Sequence, residues 1–200
     1  SSLSNYNENV YLFPMDDFLT SEAIAASPDL KISRLETLNQ IISGKKCIVI
    51  TNLMGYLRFL PKRDVYEQLT LRLKVGDVIE PSFLVEKLIA CGYNRDTLVN
   101  KTGEFGARGF VIDVFPIDED EPVRIEFFDD EIESIRYFDS QNQKSISKID
   151  EIIIKPYFEF LTTNNVSEEH FGKQKFLQLY EDMANISSYL GDSFTLFKDY

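Results

Sequence analysis

The stretch RGFVIDVFPIDEDEPVRIEFFDDEIESIRYFD, residues 108–139, decides the fold of this chain. Runs of β-branched and aromatic residues predict three strands, at 108–115, 122–128 and 131–138. An acidic loop separates the first two strands, and the pair Asp129–Asp130 predicts a turn between the last two. Because strands joined by such short connections pair in antiparallel fashion, the stretch predicts an antiparallel meander.

The residues on either side extend this meander to a module spanning 69–156. LTLRLKV (69–75) alternates between apolar and polar residues and predicts a strand, and SISKIDEIIIKP (145–156) predicts another. Between them a helix is expected to begin at Pro81, because proline is favoured at the first helical position. It is expected to end at Gly92, where glycine suits the left-handed conformation that follows many helices.

The first 68 residues predict a helix, a strand and a second helix. Residues 32–42 carry leucine and isoleucine at helical spacing, and Gly44 is the expected end of this helix. The apolar run 47–50 predicts a strand covered on both faces, and the second helix is expected at 53–60. A strand between helices indicates an α/β layer, although partner strands are not evident in the sequence.

The last part, 157–200, predicts an amphipathic helix after Asn165. Its apolar face would carry Phe176, Leu179, Tyr180 and Met183. The fold class expected for the whole chain is therefore α/β (α+β), an antiparallel module with a helix between two flanking parts.

Composition limits the function. The chain has 33 acidic and 21 basic residues and a net charge of −12, which opposes attraction to nucleic acid or anionic membranes. Cys47 and Cys91 lie in apolar surroundings without metal-binding spacing and are expected to be reduced, buried and cytoplasmic. The sequence has no membrane-spanning run and no export signal. Because it also lacks an initial methionine, it suggests a segment of a longer protein.

Motifs for catalysis or for cofactor and metal binding are not found. SGKK (43–46) lacks the upstream glycine and the hydroxyl residue of a phosphate-binding loop, so Gly44 is interpreted as a helix end. Acidic pairs such as Asp129–Asp130 are interpreted as solvated turns. His170 is the only histidine, so a histidine-based triad or zinc site would have no companions. We therefore expect a non-enzymatic chain without cofactor or metal.

The strand at 122–128 indicates an interaction surface. Val123, Ile125 and Phe127 share one face, so Arg124, Glu126 and Phe128 must share the other. An outward aromatic ring beside arginine is typical of binding hot spots. The residues alone leave open whether Phe128 is instead covered by another part of the chain.

The pattern RG-x-x-I-D-x-F-P, followed by R-I-E-F-F-D-D-E-I-E-x-I-R-x-F-D, resembles the UvrB interaction domain. LRLKVGD and CGY upstream extend the resemblance to nearly all of 69–156. This domain is shared by the excision-repair protein UvrB and the bacterial transcription-repair coupling factor (Mfd) family. YLFPMDDFLTSEAIAASPDLKISRLETL (11–38) is similar to the N-terminal part of the latter, and the tyrosine-rich hairpin of UvrB is absent.

The resemblance implies a non-catalytic region that recruits UvrA to stalled RNA polymerase in transcription-coupled nucleotide excision repair. It further implies that 1–68 is the second half of a degenerate, non-ATPase helicase-like domain and 157–200 the beginning of the next subdomain. The ATP-dependent DNA translocase motor and the RNA polymerase-binding region would lie outside this segment, in a bacterial cytoplasmic protein. The alternative is contact with damaged DNA in the manner of UvrB, and other domains could mask the surface.

Carried over by position, the family's UvrA-contacting residues fall on Arg95, Arg108, Arg124, Glu126 and Phe128. Arg108 and Arg124 would meet carboxylates on UvrA, and Phe128 would fill an apolar pocket. Glu126 would meet a basic group or orient Arg124. Many UvrB sequences have an arginine where this chain has Gly106, so that contact is not transferred.

Overall fold

The computed structural model describes residues 9–15, 28–160 and 174–191. The described residues divide into two units: those up to Tyr66 and from Glu159 onwards form the first unit, and Glu67–Phe158 form the second. The helices are α1 (Pro28–Ile42), α2 (Leu53–Tyr56), α3 (Arg63–Gln68), α4 (Pro81–Ala90) and α5 (Gln174–Leu177), with a 3-10 helix at Ile186–Tyr189. The strands are β1 (Val10–Phe13), β2 (Ile48–Thr51), β3 (Leu60–Pro61), β4 (Leu71–Lys74), β5 (Asn94–Arg95), β6 (Glu104–Arg108), β7 (Val111–Val114), β8 (Val123–Phe128), β9 (Glu131–Phe138), β10 (Ser145–Ile149), β11 (Glu151–Ile154) and β12 (Met183–Ala184).

The first unit contains α1 and a parallel pair of strands, β1 and β2. The helix predicted at 32–42 is confirmed and begins earlier, at Pro28, while Gly44 with φ +73° follows its end. The strand predicted at 47–50 is confirmed as β2, and its partner β1 was not predicted. The expectation that both faces of β2 are covered is wrong, because the Ile48 side chain is 50% exposed. The helix predicted at 53–60 is only the single turn α2.

A buried ion pair crosses the interior of the first unit. The Arg34 guanidinium donates from Nε to Oε1 of Glu159 at 2.6 Å and from Nη2 to Oε2 at 2.9 Å. Arg58 Nη2 donates to the same Oε2 at 3.3 Å. Because all three side chains are buried, this bidentate arrangement satisfies charges that would be costly to bury alone.

The amphipathic helix predicted after Asn165 is wrong over its second half. The helix α5 ends at Leu177, and Met183 lies in β12, which pairs with β3. The Tyr189 hydroxyl donates to the carbonyl oxygen of Pro61 at 2.7 Å, so a side-chain hydrogen bond also joins this part of the chain to β3. The first half of the predicted helix, up to residue 173, lies outside the described residues.

The second unit is built on a six-stranded sheet in the order β10-β9-β8-β7-β6-β5. All neighbours in it are antiparallel except β5 and β6, and β4 pairs separately with β11. The strand predicted at 108–115 is in fact the end of β6, a two-residue turn and β7. The strand predicted at 145–156 is split into β10 and β11, which belong to different sheets. The strands at 122–128 and 131–138 and the turn between them are confirmed.

One face of the six-stranded sheet forms the core of the second unit. Ile112, Ile125 and Ile135 lie side by side on adjacent strands and are buried. Ile132 is also buried although it lies three residues before Ile135, a spacing that alternation would place on opposite faces. A register shift between Glu126 and Phe127 in the pairing with β9 brings both isoleucines to the core.

The helix α4 confirms the predicted start at Pro81 and the predicted end. Gly92 follows the helix with φ +86°, and a Cβ there would lie 2.4 Å from Cβ of Phe158. Glycine is therefore required at this position by both backbone conformation and space. Together, the helices and mostly antiparallel strands confirm the predicted α+β class. None of the helices in the described ranges combines the length and apolar character needed to cross a membrane.

Candidate protein-interaction surface

The strand β8 separates core residues from surface residues as the alternation predicted. Val123, Ile125 and Phe127 are buried, whereas the Phe128 ring is 75% exposed. Phe128 lies at the end of β8, directly opposite Glu131 and next to the turn at Asp129, whose φ is +58°. Among the residues that the structure describes, the Phe128 ring lies in solvent, which favours the exposed alternative that the sequence left open.

Arg124 is held by a buried carboxylate on the neighbouring strand. Asp113 lies directly opposite Arg124 on β7, and the Arg124 guanidinium donates from Nε to Oδ1 at 2.6 Å and from Nη2 to Oδ2 at 2.8 Å. Arg108 Nη2 donates to the same Oδ2 at 3.0 Å. We call Asp113, Arg108 and Arg124 the Asp113 cluster. A bidentate contact of this kind fixes the plane of the guanidinium.

The Arg124 guanidinium also lies over the face of an aromatic ring. The Arg124 Cζ atom lies 4.6 Å from the centroid of the buried Phe138 ring, a cation–π contact. Phe138 packs with Val99 and Phe115 in a small apolar cluster. The hydrogen bonds that Arg124 donates to Asp113 raise the pKa of Arg124 above its usual value. Arg124 is therefore a fixed, permanently charged group whose side chain is only 16% exposed.

Glu126 is paired with a basic group of its own chain. Both of its carboxylate oxygens accept from Arg136 on β9, and Ser134 Oγ donates to Oε2 at 2.7 Å. The hydrogen bond from Arg136 is the main reason why the pKa of Glu126 lies below its usual value. The resemblance implied two possible roles for Glu126, and one of them was to orient Arg124. The contacts do not support that role, because Asp113 holds Arg124.

Arg95 lies apart from the other predicted contact residues. It is an exposed residue of β5, and β6 and β7 separate this strand from β8. Three strand spacings amount to roughly 14 Å. The structure thus brings Arg108, Arg124, Glu126 and Phe128 together on β6 and β8, and places Arg95 at the sheet edge.

Gly106 shows why the arginine contact of UvrB sequences is not transferable. Gly106 lies opposite Asp113, and a Cβ atom there would be 3.0 Å from the carbonyl oxygen of Asp96 and 3.4 Å from Cγ2 of Val99. A long side chain at this position would have to displace the segment 96–99. The glycine therefore allows that segment to lie close against the sheet.

Sequence reasoning missed the residues that hold the predicted contacts in place. Asp113 and Arg136 were not predicted, yet they are the partners of Arg124 and Glu126. A signal for Asp113 was present, because a charged residue inside the apolar run FVIDVF is seldom buried unless it is paired. Its partner could not be identified without the register of β7 against β8.

A comparison with known protein families identifies the class of this domain. The family model for the UvrB interaction domain matches residues 71–160. Over this stretch the chain is similar to the UvrB interaction domain family, which confirms the resemblance seen in the sequence.

The similarity to curated proteins extends beyond the domain. The chain is 37% identical over 155 residues to the transcription-repair-coupling factor of Bacillus subtilis (strain 168), covering 78% of this chain and 13% of that protein. It is also 37% identical over 159 residues to the transcription-repair-coupling factor of Staphylococcus aureus (strain bovine RF122 / ET3-1), covering 80% of this chain and 14% of that protein. The chain is thus similar to a segment of transcription-repair-coupling factors and spans about one seventh of their length.

Proposed function

We propose that this chain is the non-catalytic part of a transcription-repair coupling factor that binds UvrA and so recruits it to stalled RNA polymerase. The match of residues 71–160 to the UvrB interaction domain supports the partner. The observation that carries the proposal is the exposed ring of Phe128 beside the prearranged side chains of Arg124 and Glu126. Aromatic rings beside arginine are the residues that most often dominate binding energy.

The proposed interface combines burial of the ring with oriented polar groups. A phenylalanine that is three-quarters exposed can remove roughly 150 Å² of apolar surface from water on binding, which corresponds to about 3 to 4 kcal/mol. Arg108, which is the more exposed arginine of the Asp113 cluster, would meet a carboxylate of UvrA. Arg95 would contact UvrA only where the interface reaches the sheet edge.

The surroundings of this interface are part of the same proposal. Residues 1–68 would belong to a degenerate helicase-like domain, and 157–200 would begin the following subdomain. RNA polymerase and DNA would be bound by other regions of the full-length protein, and its other domains would mask the UvrA-binding surface. The free thiols of Cys47 and Cys91 suit the reducing bacterial cytoplasm. Direct binding of DNA by this chain is opposed by its net charge of −12.

The test is a titration of the chain against purified UvrA, with wild type and Phe128→Ala compared side by side. Truncation of a central anchor costs roughly 2 to 4 kcal/mol, so we expect the mutant to bind about thirtyfold to thousandfold more weakly. Phe83→Ala is the matched control, because Phe83 is also an exposed phenylalanine but lies on α4. Circular dichroism establishes that all three proteins are folded. Equal affinities of wild type and Phe128→Ala would contradict the assigned surface, and a folded wild type that does not bind UvrA would contradict the function.

A further inference from the structure

The face of the six-stranded sheet that carries Arg124 and Phe128 continues beyond β8. Arg124 lies directly opposite Arg136 on β9, and Arg136 lies directly opposite Lys148 on β10. Because directly paired residues project to the same side of a sheet, all three basic side chains belong to one face. They form a row across β8, β9 and β10, which we call the basic row.

Two residues of the basic row are already paired within the chain. Arg124 donates two hydrogen bonds to Asp113, and Arg136 donates to Glu126. Lys148 is exposed and forms no ion pair with any residue that the structure describes. Lys148 is therefore the member of the basic row whose charge is available to a partner.

The two ends of this row differ in how accessible they are. Asp113 and Gly106 continue the row on β7 and β6, and there a Cβ on Gly106 would lie only 3.0 Å from the carbonyl oxygen of Asp96. The segment 96–99 thus covers the β6 end. At the other end, residues 145–148 of β10 are all exposed, and β10 is the outermost described strand of its sheet. The row is open on the β10 side.

The charge of this face is opposite in sign to that of the whole chain. The rows of Arg124 and Glu126 contain six charged residues, which are Arg108, Asp113, Arg124, Glu126, Arg136 and Lys148. Four positive and two negative side chains leave a local net charge of +2, whereas the chain as a whole carries −12. A partner surface that presents carboxylates fits this part of the face.

We infer that the UvrA-binding surface extends from Phe128 across β9 to β10 and that Lys148 contacts a carboxylate of UvrA near the edge of the interface. This inference rests on the proposed function and adds a residue that the family resemblance did not indicate. Lys148 lies two strands from β8 and Phe128 lies four residues beyond Arg124, which places the two roughly 17 Å apart. An interface that buries about 800 Å² on each partner is about 30 Å across and can include both. The exposed acidic turn at Asp129 and Asp130, next to Phe128, opposes a nucleic acid on the same face.

The experiment adds Lys148→Glu to the UvrA titration. A lysine on an edge strand also hinders pairing with other chains, and glutamate keeps a charge at the edge while it repels a carboxylate of UvrA. We expect Lys148→Glu to weaken binding by roughly tenfold at about 0.05 M salt, and by about twofold or less at about 0.5 M salt, because salt screens exposed charges. The loss caused by Phe128→Ala should persist at both salt concentrations, since it comes from apolar burial.

The matched control is Lys45→Glu. Lys45 is an exposed lysine of the first unit, between α1 and β2, and its replacement changes the net charge by the same amount. This variant should bind UvrA as the wild type does, and circular dichroism checks the fold of each protein. Equal losses of affinity in Lys148→Glu and Lys45→Glu would overturn the inference, because net charge alone would then explain them.

The other outcomes separate this inference from the proposed function. Wild-type affinity of Lys148→Glu together with weaker binding by Phe128→Ala would overturn the inference and leave the proposed function standing. A DNA duplex titrated in the same way tests the other class of partner. Loss of DNA binding in Lys148→Glu with unchanged affinity for UvrA would assign Lys148 to DNA and overturn the inference. A wild type that does not bind UvrA would overturn both the inference and the proposed function.

Discussion

Replacement of Arg124 by alanine should destabilise the sheet of the second unit as well as weaken binding. The change leaves the buried carboxylate of Asp113 with Arg108 Nη2 at 3.0 Å as its remaining partner in the Asp113 cluster. It also removes the guanidinium that covers the Phe138 ring. The sequence pattern predicted Arg124 as an outward contact residue, and from that pattern alone Arg124→Ala would be expected to leave the fold intact. The contacts of Arg124 point to a different result.

The size of the effect follows from burial and from the remaining partner. Breaking a buried ion pair by removing one side chain costs about 3 to 5 kcal/mol. Here the Arg124 side chain is 16% exposed and Arg108 keeps one contact with Asp113, so the loss should lie lower, at about 2 to 3 kcal/mol. In urea, where the free energy of unfolding falls by about 1 to 3 kcal/mol per molar denaturant, this is a midpoint shift of roughly 0.7 to 3 M.

A double-mutant cycle measures the pair itself. The free energy of unfolding is determined in urea for wild type, Arg124→Ala, Asp113→Ala and the double mutant. We expect a coupling energy of at least about 1.5 kcal/mol, because each side chain is the main partner of the other. Arg72→Ala is the matched control, since Arg72 is an exposed arginine of β4, and should change stability by no more than about 0.5 kcal/mol.

Additive single effects, agreeing with the double mutant within about 0.5 kcal/mol, would refute this reasoning. In that case Asp113 would not be holding Arg124 in solution, and the surface would not be prearranged. The expected loss of stability also decides how binding is tested, because weaker binding by Arg124→Ala has two possible causes. Phe128→Ala, which removes an exposed ring, is the cleaner probe of the interface.

Two further predictions concern ionisable groups. The pKa of Glu126 is lowered in the folded state, mainly by the hydrogen bond from Arg136. The ionised carboxylate therefore stabilises the fold fully above the usual carboxyl pKa of 4.5, and this stabilisation is lost as pH falls through the lowered pKa of the folded state. Urea unfolding of wild type and Glu126→Gln at about pH 7, 5 and 3 should therefore show a steeper acid loss for wild type, and parallel pH profiles would contradict the pairing. The second prediction concerns the two thiols. Burial raises the pKa of Cys91 to about 11, and Cys91 Sγ lies 3.0 Å from the carbonyl oxygen of Leu69. Cys47, in contrast, is only partly buried. Iodoacetamide at about pH 8 should modify Cys47 first and Cys91 only after unfolding. Equal modification rates of the two cysteines, measured by peptide mass spectrometry, would contradict this and show that the region around Cys91 opens easily.

Local patterns in the sequence predicted the elements whose residues alternate or repeat regularly. The faces of β8 followed from the order of Val123 to Phe128, and α4 followed from Pro81 and Gly92. The break in the strand predicted at 108–115 was missed, because its flanking residues all favour strands and only Gly109 indicates the turn. The second half of the helix predicted after Asn165 is wrong, because Met183 and Ala184 form β12 and pair with β3 despite the helical spacing of the apolar residues.

Pairings between strands carry the information that the sequence lacks. The predicted contact residues Arg124 and Glu126 were found from one strand, whereas Asp113 and Arg136 become their partners only through the registers of β7, β8 and β9. These pairings within the chain change which side chains are expected to contribute most of the binding free energy. Charges that are already paired within the chain have little further attraction to gain from a partner, so they mainly fix orientation and select against unsuitable surfaces. The affinity must then come chiefly from apolar area that is still exposed, and the largest such side chain on β8 is Phe128.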